Sequence, residues 1–135
     1  MSKKLLEPGL PRGFEDSFGK SLVIEKKIKE VIEKNFLRYG YTEIKTSPFE
    51  YSENIGGFLT DDLNNFSKDI FTFDDKDRKI SLRFDLSAPL ARIISEKYLE
   101  FAFPFRRFQI AEVFRNETSK TGRGRYRSFL QGDFD

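Results

Sequence analysis

The residues best equipped for chemistry lie between Phe105 and Asp135. This stretch reads as two antiparallel strands, Phe105–Arg115 and Arg125–Asp135, joined by a polar loop. Side chains two apart share a face of a strand. One face of the second strand therefore collects Arg125, Arg127, Phe129, Gln131, Asp133 and Asp135. The other collects Tyr126, Ser128, Leu130, Gly132 and Phe134. On the first strand Arg115 shares a face with Ala111 and Val113, small enough to leave room for a ligand, and Glu117 continues that parity into the loop. Arginine meets phosphate oxygens with a bidentate fork. An aromatic ring offers a purine a stacking surface, and an amide beside carboxylates can hold an ammonium group. The combination suits a nucleoside triphosphate next to an amino acid. The ordinary alternative is a hairpin with one solvated, charged face. Two features favour the ligand. The charges run from Arg to Asp along the second strand, and Gly122 and Gly124 would let backbone approach a phosphate.

A second group sits upstream. Arg78–Leu86 reads as a strand with Ile80, Leu82, Phe84 and Leu86 on a core face and Ser81, Arg83, Asp85 and Ser87 on the other. Pro89 suits the first position of a following helix, with Leu90, Ile93, Ile94 and Tyr98 on its buried side. Asp85 and Ser87 would then stand where a strand meets a helix start. Ser87 has two compatible roles there, helix cap and ligand group. The acidic turn Asp74–Asp77 lacks calcium-loop spacing and reads as a solvated hairpin tip.

The elements that must position these groups follow from the rest of the chain. A helix is expected over Ser21–Arg38, with Ile24, Ile28, Val31, Ile32 and Phe36 as its apolar stripe and Gly40 as its stop. Tyr41–Thr46 reads as a strand, with Pro48 ending it or marking an edge. Residues 52–66 form a polar loop or short helix broken at Gly56 and Gly57. Asp69–Phe73 is the first strand of the hairpin that continues into Arg78–Leu86. Interspersed helices and antiparallel hairpins predict an α+β fold: an antiparallel β-sheet with flanking helices. Residues 1–13 read as an N-terminal tail and 14–135 as one domain.

Composition narrows the chemistry. The 135 residues hold neither cysteine nor histidine, which removes disulfides, thiol nucleophiles, Ser-His triads and the usual zinc sites. Sixteen phenylalanines are enough to fill a sizeable core. The net charge of +2 is too small for a purely electrostatic nucleic-acid binder, although Lys120–Arg127 carries four basic residues and no acid. No apolar run approaches membrane-spanning length, and the N-terminus lacks the apolar core of a secretory signal. A cytoplasmic protein is the default expectation.

With these residues placed, the chain resembles class II aminoacyl-tRNA synthetases, and most closely the histidyl-tRNA synthetase family. Residues 40–51 resemble motif 1, with Pro48 as its proline, and 113–135 resemble motif 2. Residues 82–92 and 129–135 are similar to the family's histidine-binding segments, and 13–19 to its entry segment. The resemblance runs from about Pro11 to Asp135. It implies a class II synthetase-like catalytic core, incomplete here. It also implies histidine–tRNA ligase activity on L-histidine, ATP and tRNA(His), with Mg²⁺ as cofactor and a homodimeric assembly. By resemblance Arg115 is the catalytic arginine, binding the ATP α-phosphate and the histidine carboxylate. Glu117 would meet the adenine amino group, Arg125 the outer phosphates, and Phe129 would stack on adenine. Asp85 and Ser87, with Leu86 between them, and Gln131 would hold the α-amino group, and Asp135 would face the imidazole. Asp85 and Ser87 stand where many members have Glu and Thr, so the chemistry is kept with a different reach. No metal ligand is identified. The family's motif 3 and anticodon-binding domain have no counterpart before Asp135, so the 135-residue chain alone is expected to be inactive. Two other readings stand beside this one. One is the synthetase-like regulatory subunit of ATP phosphoribosyltransferase, the other an interaction module built on the Lys120–Arg127 patch.

Overall fold

A computed structural model describes residues 7–55, 67–117 and 126–135. Its elements are α1 (Lys20–Arg38), β1 (Thr42–Glu43), β2 (Phe49–Tyr51), α2 (Ser52–Ile55), a 3₁₀ turn (Ser67–Asp69) and β3 (Thr72–Asp75). There follow β4 (Arg78–Leu82), α3 (Ser87–Lys97), a second 3₁₀ turn (Tyr98–Glu100), β5 (Arg107–Phe114) and β6 (Ser128–Phe134). The strands form two three-stranded sheets, ordered β1-β5-β6 and β2-β4-β3. The expected α+β fold with antiparallel pairing is therefore present, with one addition. β1 lies parallel to β5, Thr42 opposite Arg107 and Glu43 opposite Phe108. The sequence suggested a longer strand at Tyr41–Thr46; only two of its residues join the ladder.

Helix α1 ends as its sequence dictates. Gly40 takes φ 77°, and its amide donates to the Leu37 carbonyl at 3.1 Å. Its apolar stripe does not bury as expected. Ile24, Ile28 and Val31 are all more than half exposed. Only Phe36 is gripped, stacking on Phe108 at 5.2 Å between ring centroids and meeting Phe134 at 4.9 Å and Tyr41 at 5.3 Å. Between the helix and the sheet an apolar groove of about 460 Å³ stays open, lined by Ile24, Ile28, Ile32, Ile110 and Leu130. The phenylalanines likewise fill less of a central core than their number suggested. Phe108 is the one fully buried ring among the described residues. Most of the others pair where elements meet, as Phe14 does with Phe71 and Phe49 with Phe73.

The β3–β4 hairpin forms around Lys76, whose φ of 52° gives the tight turn its left-handed step. β3 starts at Thr72, later than expected, because Asp69 is taken up in the preceding 3₁₀ turn. From Ile80 to Phe84 the inside and outside are the reverse of the sequence reading, whereas Leu86 is buried and Ser87 exposed as expected. Ser81 and Arg83 are buried, whereas Ile80, Leu82 and Phe84 are only partly covered. The hydroxyl of Ser81 and the guanidinium of Arg83 both find partners. Ser81 Oγ lies 2.7 Å from Ser52 Oγ and 3.0 Å from Thr72 Oγ1. Arg83 donates from Nε to the Glu112 carbonyl at 2.7 Å and from Nη1 to the Thr46 carbonyl at 3.1 Å.

Arg83 also joins the sheets through its backbone. Its amide donates to Pro48 O at 2.9 Å, and its carbonyl accepts from the Phe114 amide at 3.1 Å. Burial pushes the guanidinium pKa down from its ordinary value, with the charges of Glu112 and Glu50 opposing. Nearby, Glu50 on β2 accepts from Arg92 Nε at 2.6 Å, tying α3 to the second sheet and holding the Arg92 pKa above its ordinary value.

Replacing Arg83 with methionine should therefore cost roughly 2–5 kcal/mol, because it strips the donor from two carbonyls inside the protein. Urea unfolding of the complete gene product measures this. A loss below about 0.5 kcal/mol would show that the carbonyls find other donors.

Candidate functional site

The site is built on one face of β5 and β6. Their register sets Gln109 opposite Asp133, Ala111 opposite Gln131 and Val113 opposite Phe129. Directly opposed residues point to the same side, so Arg107, Gln109, Ala111 and Val113 share a face with Phe129, Gln131, Asp133 and Asp135. Phe108, Ile110, Leu130, Gly132 and Phe134 turn to the α1 side. This is the division that strand parity predicts. Two backbone hydrogen bonds between Arg107 and Asp135, at 2.8 and 3.1 Å, extend the ladder at one end. At the other, the Arg115 amide donates to Arg127 O at 2.8 Å.

Arg115 is held over two rings. Its guanidinium carbon lies 4.4 Å from the centroid of Phe84 and 5.0 Å from that of Phe129. Its Nε donates to the Phe84 carbonyl at 3.4 Å. The chain just after Arg83 thus reaches the hairpin face, which brings the second group of candidate residues to the first. Asp85 Oδ1 accepts from the Ala88 amide at 3.0 Å and caps α3. Of the two roles expected for Ser87, helix cap and ligand group, the first falls to Asp85 in the structure, and the helix starts at Ser87 with Pro89 already inside its first turn. The Ser87 hydroxyl instead donates to Asp133 Oδ2 at 3.5 Å. Leu86, between them, is wholly buried.

At the acidic end the dominant partner is one that sequence reading passed over. Arg107, completely buried, donates from Nη2 to Asp133 Oδ2 at 2.8 Å and to Asp135 Oδ2. The signal that would have found it was available, because Arg107 continues the parity of Ala111 and Gln109. Gln109 is buried too, hydrogen-bonded to Thr46 Oγ1 at 3.1 Å.

Other candidates are placed differently. Arg127 shares the face by parity but is spent on packing. Its guanidinium carbon lies 4.6 Å from the Phe71 ring and 5.5 Å from the Phe14 ring, and Nη1 donates to Arg12 O at 3.3 Å. Its amide donates to Gly13 O at 2.7 Å, so part of the expected tail is docked on the start of β6. Glu117 is half-buried just beyond β5, where the neighbouring Asn116 is tied to the first 3₁₀ turn through Asp69 O and Lys68 O. Arg125, Gly122, Gly124 and most of the Lys120–Arg127 patch lie outside the described residues. Among the described residues no group of three or more acidic, histidine or cysteine side chains is arranged to hold a metal. No described helix is long and apolar enough to cross a membrane.

Together these groups offer a cation backed by aromatic rings at one end of a sheet face and paired carboxylates with a hydroxyl at the other, with Gln131 between them. Comparison with known proteins gives the arrangement its context. Residues 13–132 match the sequence family described as histidyl-tRNA synthetase. A histidine–tRNA ligase from Pelagibacter ubique is 50% identical over 130 residues, covering 96% of this chain and 28% of that protein. The crystal structure of histidyl-tRNA synthetase from a Nostoc species superposes with a TM-score of 0.77 at 28% identity, over 93% of this chain and 28% of that one. A Bacillus halodurans structure, described as an ATP phosphoribosyltransferase regulatory subunit/histidyl-tRNA synthetase, superposes with a TM-score of 0.76 at 24% identity, which shows a shared fold. It covers 97% of this chain and 32% of that one. The chain thus spans roughly a quarter to a third of the length of these relatives. On the family match and the fold together, it belongs to the histidyl-tRNA synthetase family.

Proposed function

We propose that this chain forms the part of a histidine–tRNA ligase that grips ATP and L-histidine while the amino acid is activated. The observation that carries the reading is the shared sheet face, with Arg115 over Phe84 and Phe129 at one end and Gln131, Asp133 and Asp135 running away from it. In the reaction a histidine carboxylate oxygen bonds to the α-phosphorus of ATP, and the bond from that phosphorus to the bridging oxygen of pyrophosphate breaks. Negative charge builds on the α-phosphoryl oxygens. The role for Arg115 is to meet that charge with a donor already oriented by its rings and by the Phe84 carbonyl. Phe129 would stack on adenine, and Glu117 and Arg125 would meet the adenine amino group and the outer phosphates. Asp85, Ser87 and Gln131 would hold the α-ammonium group, and Asp135 the imidazole. Mg²⁺ would arrive on the triphosphate, and no step is assigned to a metal ligand of this chain. A hydroxyl of the terminal adenosine of tRNA(His) then takes the histidyl group from the adenylate, an ester bond forming as the acyl–phosphate bond breaks and AMP leaves, in the cytoplasm.

A homodimer accompanies this reading. The motif 1-like segment Tyr41–Tyr51 includes the short strand β2, where Phe49 and Tyr51 are both exposed. Phe73, also exposed, packs edge-on against Phe49 at 6.3 Å. Such a patch suits an isologous contact. The second reading, a regulatory subunit of ATP phosphoribosyltransferase, is favoured by the fold it shares with the Bacillus halodurans structure.

Histidine-dependent ATP–pyrophosphate exchange by the complete gene product separates the two, and only the ligase supports it. Arg115→Ala should lower kcat/KM for exchange by about a hundredfold or more, the usual cost of losing one preorganised donor. Exchange within about threefold of wild type would remove Arg115 from the mechanism. Asp135→Asn should raise the KM for histidine far more than that for ATP; equal effects would count against its assignment to the imidazole. Sedimentation should show a dimer at micromolar concentration, and a monomer alone would refute the assembly.

A further inference from the structure

The buried arginine at the acidic end of the site has no role in the account so far. Arg107 has almost no exposed surface, yet three of its features are poorly suited to a purely structural part. Nη2 alone carries both side-chain bonds, to Asp133 at 2.8 Å and to Asp135. Nε and Nη1 are buried with no hydrogen-bond partner. Replacing a buried ion pair by an apolar side chain of similar volume is often neutral or stabilising, so stability alone does not call for an arginine at this position. What Arg107 does achieve is an arrangement of carboxylates. Asp135 is its cross-strand partner and Asp133 the diagonal neighbour two residues away on the same face. Left alone, those two acids would repel and turn apart. A single guanidinium nitrogen between them draws both inward and cancels one of the two negative charges. The Ser87 hydroxyl adds a third tether, on Asp133 at 3.5 Å.

We infer that Arg107 is a positioning residue, which locks Asp133 and Asp135 into one receptor of fixed shape and single net negative charge for the imidazole end of the amino-acid ligand. The inference rests on the ligase reading above. Asp133 is mostly covered and takes the hydrogen bond from Ser87, whereas Asp135 is largely open to solvent. Asp133 is thus the inner support and Asp135 the surface that meets the ligand. Arg107 itself does not touch the ligand, since it lies behind the carboxylates with no surface of its own.

The test is a double-mutant cycle in the complete gene product, read as separate KM values for histidine and ATP in the exchange reaction, with melting curves for every variant. Lysine at position 107 keeps the charge but loses the planar fork. Arg107→Lys should raise the histidine KM by about tenfold and change the ATP KM by less than about twofold. On an Asp135→Asn background the same substitution should add almost nothing, because its effect runs through Asp135. Additive effects, or equal changes in both KM values, would overturn the inference while leaving the ligase reading intact. If Arg107→Lys does not fold, Asp133→Asn decides. It leaves Arg107 paired with Asp135 and should raise the histidine KM by about threefold or more, and an unchanged value would overturn the inference. A wild-type protein without histidine-dependent exchange would overturn the ligase reading itself, and this inference with it.

Discussion

Arg83 sits where the two sheets meet, carrying a charge into a place that water scarcely reaches. A guanidinium in such a position is costly unless its donors are met. Here they are met by carbonyls from the Thr46 and Glu112 backbones, which belong to different parts of the fold. The Arg83 amide and carbonyl repeat the connection to Pro48 and Phe114. One residue thereby fixes the end of β4 against β5 and against the segment leading into β2. No ladder runs continuously from one sheet to the other among the described residues, so this junction sets their relation.

The consequences for the site are direct. Because Arg83 is pinned, the residues after it must leave the junction along a fixed line. Phe84 comes to lie beneath Arg115, Leu86 plugs into the core, and Asp85 and Ser87 arrive beside the hairpin face. Asp85 then starts α3 by capping it, and Arg92 on the second turn of that helix grips Glu50 on β2. The chemistry-bearing groups from two distant stretches are thus brought together by a structural arginine, and they meet where the Ser87 hydroxyl reaches Asp133.

Much of this was legible in the sequence. The β5–β6 hairpin alternates because one of its faces differs chemically from the other, and the period of two carries that difference onto the register without further information. What periodicity does not carry is which face is covered when both are. That is why Ile80, Leu82 and Phe84 read as core, whereas Ser81 and Arg83 are the buried set. Polar side chains satisfied by backbone carbonyls and by other hydroxyls leave no hydrophobic trace. The same limit hid Arg107, which looks like a surface charge until its partners are known, Asp133 next to the last residue of β6 and Asp135 just beyond it. The stripe on α1 was read correctly as a stripe, but a stripe does not say how much of itself meets a partner. Here Phe36, half-buried, is the residue of the stripe that packs on rings of the sheet.

The two ends of the segment between Arg115 and Arg127 are tied to each other and to separate anchors. Asn116 is fastened to the turn at Lys68 and Asp69, and Arg127 to Gly13 and the rings of Phe14 and Phe71. Once its ends are fastened, a loop pays for extra length only logarithmically, about 0.6 kcal/mol for each doubling. Insertions and deletions between these anchors are therefore cheap and leave the sheet face where it is. A few residues further on, the rule reverses. Removing one residue inside β6 would exchange its two faces, sending Phe129, Gln131 and Asp133 toward α1 and Leu130 and Phe134 toward the ligand. Tolerance to changes in length thus drops abruptly at Ser128, a boundary drawn by the pleat of a single strand.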